Sequence, residues 1–227
     1  MSENNRLKIV IVGGVAGGAS AATRARRMNE QAEITLFEKD EFVSFANCGL
    51  PYYIGGEIKE RKKLLVATPE FLHKRFRLDV RTKHEVTAVN RTSKTVSVRN
   101  LQSGEEFEQP YDKLILSTGA SPFVPPIEGV EASNVLTLRN IPDTDIIKEL
   151  VDRDSIKNVL VVGAGFIGLE MVEQFIGLGL TTTLVELQPQ VLPLLDKEMA
   201  KPLEDELRQK DVALFLGDGI QEIVCDE

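Results

Sequence analysis

The segment that most strongly suggests chemistry is Ser44-Phe45-Ala46-Asn47-Cys48-Gly49-Leu50-Pro51, whose thiol can act as a nucleophile. No CxxC or CxxxxC pair surrounds it, so Cys48 cannot form a local dithiol–disulfide couple. A single redox cysteine instead cycles through a mixed disulfide with a small thiol, a persulfide or a sulfenic acid. A helix starting near Cys48 would favour the thiolate, which is the nucleophilic form. An isolated cysteine is more commonly a small buried hydrophobe, and Cys225, the other cysteine, reads as structural. What separates Cys48 from that bland reading is its place between two glycine-rich turns.

The first turn is Gly13-Gly14-Val15-Ala16-Gly17-Gly18. Dinucleotide turns need little bulk where the backbone meets the pyrophosphate, and a helix amino terminus aimed at the phosphates. Set against G-x-G-x-x-G, Gly13 and Gly18 fill the first and third glycine positions, and Val15 stands at the second. Glu38 follows Gly18 by about 20 residues, the spacing of a ribose-binding acid. The second turn, Gly163-Ala164-Gly165-Phe166-Ile167-Gly168, is complete and opens a helix carrying Glu170. Glu186 follows at a similar distance. A carboxylate there accepts hydrogen bonds from both ribose hydroxyls and repels a 2′-phosphate, which favours NAD(H) over NADP(H).

Both turns must be held by strand–turn–helix–strand units, and the apolar pattern supplies them. The first unit reads as a strand over 7–12, a helix over 17–29 and a strand over 33–37. The second reads as a strand over 158–162, a helix to about residue 177 and a strand over 181–185. Thr68-Pro69-Glu70 is a helix start, with proline at the first helical position. Residues 84–118 read as a β-meander with strands 86–89, 95–98 and 114–117. Pro122, Pro125 and Pro126 mark a stiff connection. An amphipathic helix over 196–210 and a strand over 212–216 end the pattern. The expected fold is α/β, with two Rossmann-like three-layer units and a β-meander in the first. The boundaries are 1–119, a connection over 120–155, and 156–227. Roughly 75 residues follow the connection, fewer than the ~100–150 of a typical domain of this kind, so the second domain reads as truncated.

Composition narrows the classes. The 227-residue chain is 42% hydrophobic and 27% charged, with net charge −8. An acidic balance argues against non-specific nucleic-acid binding. No apolar run approaches the ~20 residues of a membrane span. The segment MSENNRLK lacks a signal-peptide core, so a cytoplasmic location is expected. Two distant cysteines suggest no disulfide framework. No metal is expected.

With these residues in place, the sequence resembles the coenzyme A-disulfide reductases and the related NADH-dependent persulfide reductases, within the pyridine nucleotide–disulfide oxidoreductase superfamily. The marks that carry the resemblance are Gly13-Gly14-Val15-Ala16-Gly17-Gly18, Phe37-Glu38-Lys39 and Ser44 through Pro51. The valine that departs from the general fingerprint is what this subfamily looks like. Ser117-Thr118-Gly119-Ala120 is similar to the family's segment lying against FAD.

The resemblance implies FAD on the first unit, with Glu38, Lys39, Ser117, Thr118 and Gly119 among its contacts. It implies NADH on the second, with Gly163, Gly165, Phe166, Ile167, Gly168, Glu170 and Glu186. Electrons would pass from NADH through the flavin to Cys48, which attacks a coenzyme A disulfide or persulfide. Ser44 and Asn47 match positions beside that sulfur. Ser20, Arg24 and Arg27 match positions near the coenzyme A entrance, where guanidinium groups suit phosphates. Phe166 matches an aromatic that covers the flavin until nicotinamide arrives.

Family members continue well beyond this length. They return to the FAD domain with a Gly-Asp motif and add a dimerisation domain, so a homodimer is expected for the full-length enzyme only. Leu216-Gly217-Asp218-Gly219 resembles that motif, but its position makes it a turn of the nicotinamide domain. Two other readings stand beside the first: an NADH oxidase or peroxidase cycling through a cysteine-sulfenic acid, and a non-catalytic nucleotide-binding fragment.

Overall fold

The computed structural model describes residues 6–224, and Cys225 lies outside them. The elements, in chain order, are β1 (Lys8–Val12), α1 (Gly17–Met28), β2 (Glu33–Phe37), a 3-10 turn (Asn47–Gly49), α2 (Leu50–Ile54), a second 3-10 turn (Arg61–Leu64), α3 (Pro69–Phe76), β3 (Asp79–Arg81), β4 (His84–Asn90), β5 (Thr95–Asn100), β6 (Glu106–Pro110), β7 (Lys113–Leu116), α4 (Ile141–Val151), β8 (Asn158–Val162), α5 (Phe166–Gly177), β9 (Thr181–Glu186), α6 (Lys197–Gln209) and β10 (Ala213–Leu216). They pack as two compact units. The first holds the chain up to residue 46 together with 62–120, and the second holds 47–61 with the chain from 121 onward.

The first unit is built on a parallel sheet of order β3-β2-β1-β7. Both of its faces are covered, which is why β1 is apolar from Ile9 to Val12 instead of alternating. Ile9 and Ile11 point into one core layer with Ala22 of α1 and Leu72 of α3. Val10 and Val12 point into the other, against Val96 and Val98 of the antiparallel meander β4-β5-β6. Helices, sheet and meander are thus three layers.

The expected third meander strand, 114–117, is placed differently. Residues Lys113–Leu116 run parallel to β1, with Leu114 opposite Val10, and the third meander strand is β6. The physical reason is burial on two sides. Leu114 joins one core layer and Ile115 the other, as a strand of a sheet covered on both faces requires. In β6 only Phe107 reaches the core, between the exposed acids Glu106 and Glu108.

The second unit has a parallel sheet of order β10-β9-β8. Val172 of α5 and Ala200 of α6 pack on Leu184 of β9. Leu160 and Val162 of β8 are 54% and 61% exposed. The connection expected over 120–155 contains α4, started by a capping box. The Asn140 side chain accepts from the Asp143 amide at 3.0 Å, and the Asp143 carboxylate accepts from the Asn140 amide at 3.3 Å.

Residues 47–61 also pack here. Ile54 shares a core with Ile147, Met171 and Phe175, and Arg61 donates two 2.7 Å hydrogen bonds to the Asp145 carboxylate. The chain on either side of this excursion is tied together in the first unit. Phe45 bridges Leu65, the Ala46 amide donates to the Leu64 carbonyl and the Val66 amide to the Ser44 carbonyl, both at 2.8 Å.

Candidate functional site: two glycine-rich turns and an exposed thiol

In the first unit, β1 ends in Gly13, which takes a left-handed conformation (φ +93°). Its amide donates to the Phe37 carbonyl at 2.8 Å. A Cβ on Gly18 would lie inside contact distance of the Gly13 carbonyl oxygen, so only glycine lets α1 start this close to β1. Glu38 is buried and braces the turn. One carboxylate oxygen accepts from the Gly14 amide at 2.7 Å and the other from the Asp40 amide at 3.0 Å. The Ser44 amide donates to the Gly14 carbonyl at 2.9 Å, with Ser44 itself at φ +47°. Ser117 closes against the turn, since a Cβ on Gly13 would meet its carbonyl and one on Gly17 its hydroxyl. Thr118, Gly119 and Lys39 are exposed.

The second unit repeats this construction contact by contact. Gly163 has φ +102°, and its amide donates to the Val185 carbonyl at 2.8 Å. A Cβ on Gly168 would strike the Gly163 carbonyl oxygen. Buried Glu186 accepts from the Ala164 amide at 2.7 Å and from the Gln188 amide at 2.8 Å. The Leu192 amide donates to the Ala164 carbonyl at 2.9 Å, and Leu192, like Ser44, is left-handed at φ +43°. Gly217 and Asp218 donate to the carbonyls of Gln188 and Glu186, so the Leu216–Gly219 segment is a turn of this unit, as its position implied.

The turns differ where the fingerprints differ. Val15 is half-buried, and α1 starts one position later than α5. Neither helix has a side-chain cap at its amino terminus, which leaves first-turn N–H groups for an anion. A Cβ added to Gly163 or Gly165 would meet no atom within 4 Å, so the second turn is an open cradle. A carboxylate has about four acceptor sites. Glu38 and Glu186 therefore keep acceptor capacity for a ribose after bracing their turns.

Cys48 is exposed, with a free thiol, and Asn47 beside it is exposed. Both lie in the 3-10 turn that runs directly into α2 and pack with the second unit, whereas Ser44 belongs to the first. On α5, Phe166 is 65% exposed and Ile167 is also exposed, while Glu170 is half-buried. Glu170 acts on Tyr52, a residue the sequence did not single out. Its negative charge, with burial and the charges of Glu173, Glu57 and Cys48, raises the Tyr52 pKa. The available signal was spacing, since Tyr52 follows Cys48 by one helical turn.

Ser20, Arg24 and Arg27 are exposed on one face of α1, and the Arg27 guanidinium lies 6.0 Å from the Phe76 ring centroid. Arg26 does not share their solvated face. It is 8% exposed and donates to the carbonyls of Phe76 (2.8 Å), Glu30 (2.8 Å), Ala32 (2.7 Å) and Arg77 (3.0 Å). His84 packs with Phe37 and Phe107, each ring centroid 6.2 Å away. No helix among the described residues is long and apolar enough to cross a membrane.

Residues 7–227 match the sequence profile of the pyridine nucleotide-disulphide oxidoreductases. The chain belongs to the pyridine nucleotide-disulphide oxidoreductase family. Within this family, it is 44% identical over 213 residues to a coenzyme A disulfide reductase of Staphylococcus haemolyticus, covering 94% of this chain and 48% of the relative. Its fold matches the reduced Bacillus anthracis protein CoADR-RHD with a TM-score of 0.92 at 50% identity, over 96% of this chain and 39% of that one. A NAD-dependent persulfide reductase from A. fulgidus gives 0.92 at 38% identity, over 96% and 41%. The water-forming NADH oxidase of Lactobacillus brevis gives 0.92 at 28%, over 97% and 48%. The chain spans about half the length of the curated relatives it matches. As a member of this family, it has the two Rossmann-type units that the glycine patterns implied.

Proposed function

We propose that the chain is part of a cytoplasmic, FAD- and NADH-dependent reductase in which Cys48 delivers electrons to a disulfide or persulfide of the coenzyme A class. The observation that carries this reading is the exposed free thiol of Cys48, at the start of a helical run, in a chain that resembles coenzyme A disulfide and persulfide reductases. FAD at the first turn would supply a two-electron relay between the nicotinamide and sulfur. Gly13 and Gly18 bring α1 close to β1, so that first-turn N–H groups can meet a pyrophosphate, and Glu38 braces the turn and can still accept from a ribose. Gly163, Gly165, Gly168 and Glu186 offer NAD(H) the same cradle, and the Glu186 charge disfavours a 2′-phosphate.

At the sulfur centre, the Cys48 thiolate attacks one sulfur of a coenzyme A disulfide. The disulfide bond breaks, one coenzyme A leaves as thiolate, and a Cys48–coenzyme A mixed disulfide forms. Two electrons then cleave that bond, release the second thiolate and restore the Cys48 thiolate. With a persulfide, attack on the carbon-bound sulfur releases hydrosulfide, and the same mixed disulfide follows. Arg24 and Arg27 suit the phosphates of coenzyme A, with Ser20 on the same face of α1. Ser44 and Asn47 precede the thiol in sequence, and Phe166, exposed at the head of α5, suits a cover over the flavin. The whole protein is a homodimer in this reading.

The test is steady-state turnover of the whole protein with coenzyme A disulfide, coenzyme A persulfide, peroxide and oxygen. Cys48→Ser is expected to abolish reduction of the sulfur substrates and to leave NADH reduction of the flavin intact. Peroxide or oxygen as the sole good oxidant would instead establish the sulfenic-acid reading, to which the likeness to a water-forming NADH oxidase gives a specific footing. A protein without flavin absorbance that cannot be reconstituted would reduce the chain to a nucleotide-binding module.

A further inference from the structure

Gly55 ends α2 in an ordinary helical conformation, φ −70° and ψ −10°, which any residue can adopt. Its lack of a side chain is therefore not demanded by the backbone. It is demanded by Gln174 of α5. A Cβ on Gly55 would overlap the Gln174 side-chain amide and come within 2.9 Å of the Gln174 Cβ, which cannot swing away as a flexible tip could. Gln174 is 3% exposed, and its Nε2 donates to the Glu57 carboxylate at 3.1 Å. A buried amide packed over a glycine and hydrogen-bonded two residues further on fixes the end of α2 both sterically and polarly. Below it, Ile54 is held between Ile147, Met171 and Phe175.

The 3-10 turn holding Cys48 and α2 form one continuous run that ends at this clamp. At about 1.5 Å per residue the run is roughly 12 Å long, so a small tilt at Gly55 becomes an ångström-scale shift at Cys48. Misplacement of a reacting group by ~1 Å costs on the order of 10²-fold in rate. We propose that Gln174 is a positioning residue for Cys48: seated over Gly55 and bonded to Glu57, it sets the angle of the helical run that presents the thiol. The proposal rests on the reading of Cys48 as the sulfur-reducing group.

Its test is Gln174→Ala in the whole, flavin-loaded protein. Turnover of the sulfur substrate should fall about 10-fold or more through kcat, with KM for NADH and the rate of flavin reduction by NADH unchanged. The rate of Cys48 alkylation by iodoacetamide should shift as well. Gln174→Glu, which sets two carboxylates against each other, should behave similarly. Adding Glu57→Gln to Gln174→Glu restores the pair with donor and acceptor exchanged and should recover both readouts. That double variant also decides the matter if Gln174→Ala fails to fold.

Wild-type alkylation and turnover in Gln174→Ala, or no recovery in the double variant, would overturn the proposal. Alkylation is read without turnover. Full activity in Cys48→Ser would therefore sink the role of the thiol separately from the role of Gln174 in placing it.

Discussion

Glu186 accepts a 2.7 Å hydrogen bond from the backbone amide of Ala164, so the acid expected to meet a ribose is also a brace of its own glycine-rich turn. Its second oxygen does the same for the Gln188 amide at 2.8 Å. Glu186→Gln offers one acceptor where two are needed and turns an N–H donor toward an N–H. A hydrogen bond to a charged group contributes about 1.5–3 kcal/mol, so NADH affinity should fall roughly 10-fold or more. Flavin content should stay at the wild-type level, because Glu38 braces the other turn independently. Unchanged NADH affinity in a binding titration would refute the dual role.

The third glycine of each turn is a contact requirement. In Gly18→Ala the new methyl meets the Gly13 carbonyl oxygen, and in Gly168→Ala the Gly163 carbonyl oxygen. Neither oxygen can move without the strand behind it, and such overpacking costs about 1–3 kcal/mol. Gly18→Ala should lower the flavin-to-protein absorbance ratio and Gly168→Ala should raise the KM for NADH. The selectivity of the pair is the informative result, since general destabilisation would lower the flavin ratio and raise the KM for NADH in both variants.

Arg26 should behave as a structural cation and its neighbours as surface groups. Burial is the main cause that lowers its pKa, with the positive charge of Arg77 second. It holds the chain after α1 and the end of α3 together through four carbonyl groups within 3.0 Å. Lysine cannot reproduce that fork. Stranding buried carbonyls costs about 1–3 kcal/mol, so Arg26→Lys should lower the unfolding temperature by several degrees, at about 2–4 °C per kcal/mol for a chain of this size. Arg24→Lys and Arg27→Lys should leave it nearly unchanged.

Tyr52 should keep its phenolic proton to higher pH than an ordinary tyrosine, chiefly because of the Glu170 charge. The folded pKa lies above the unfolded value of about 10, so the folded chain binds the proton more tightly than the unfolded one. The contribution of this group to stability is therefore complete below that value and is lost as pH rises through the folded pKa. Glu170→Gln should lower the midpoint of the tyrosinate absorbance step that disappears in Tyr52→Phe. An unmoved midpoint would assign the shift to burial or to Glu173.

Much of the scaffold was legible because its causes are local. The apolar run of β1, the left-handed glycine at its end and the acid closing the next strand are read off neighbouring residues, and both units show them. What was not legible depends on partners far along the chain. Arg24, Arg26 and Arg27 look alike in sequence, and only the carbonyls of Phe76 and Arg77 make Arg26 a buried clamp. Strand β6 alternates acids with one core phenylalanine, too weak a signal to compete with the Lys-Leu-Ile-Leu of β7. Helix α4 did carry a signal, Asn140 three residues before Asp143 with a proline between, but it lay in a stretch read as a connection. Cys48 packs with the second unit, where Ile54 meets Ile147, Met171 and Phe175 and Gly55 meets Gln174, contacts that no local pattern encodes.

The bridge between Phe45 and Leu65 has a practical corollary. It draws together the two ends of the excursion over 47–61, so the entropy of closing that loop is borne by the first unit's own hydrogen bonds and rises only slowly with loop length. The segment bearing the thiol is thus a cartridge held at a fixed mouth. A chimera could receive a different cartridge, longer or with a second cysteine, without recutting the frame, provided the newcomer keeps the glycine under Gln174, the apolar side chain at Ile54 and the arginine that meets Asp145.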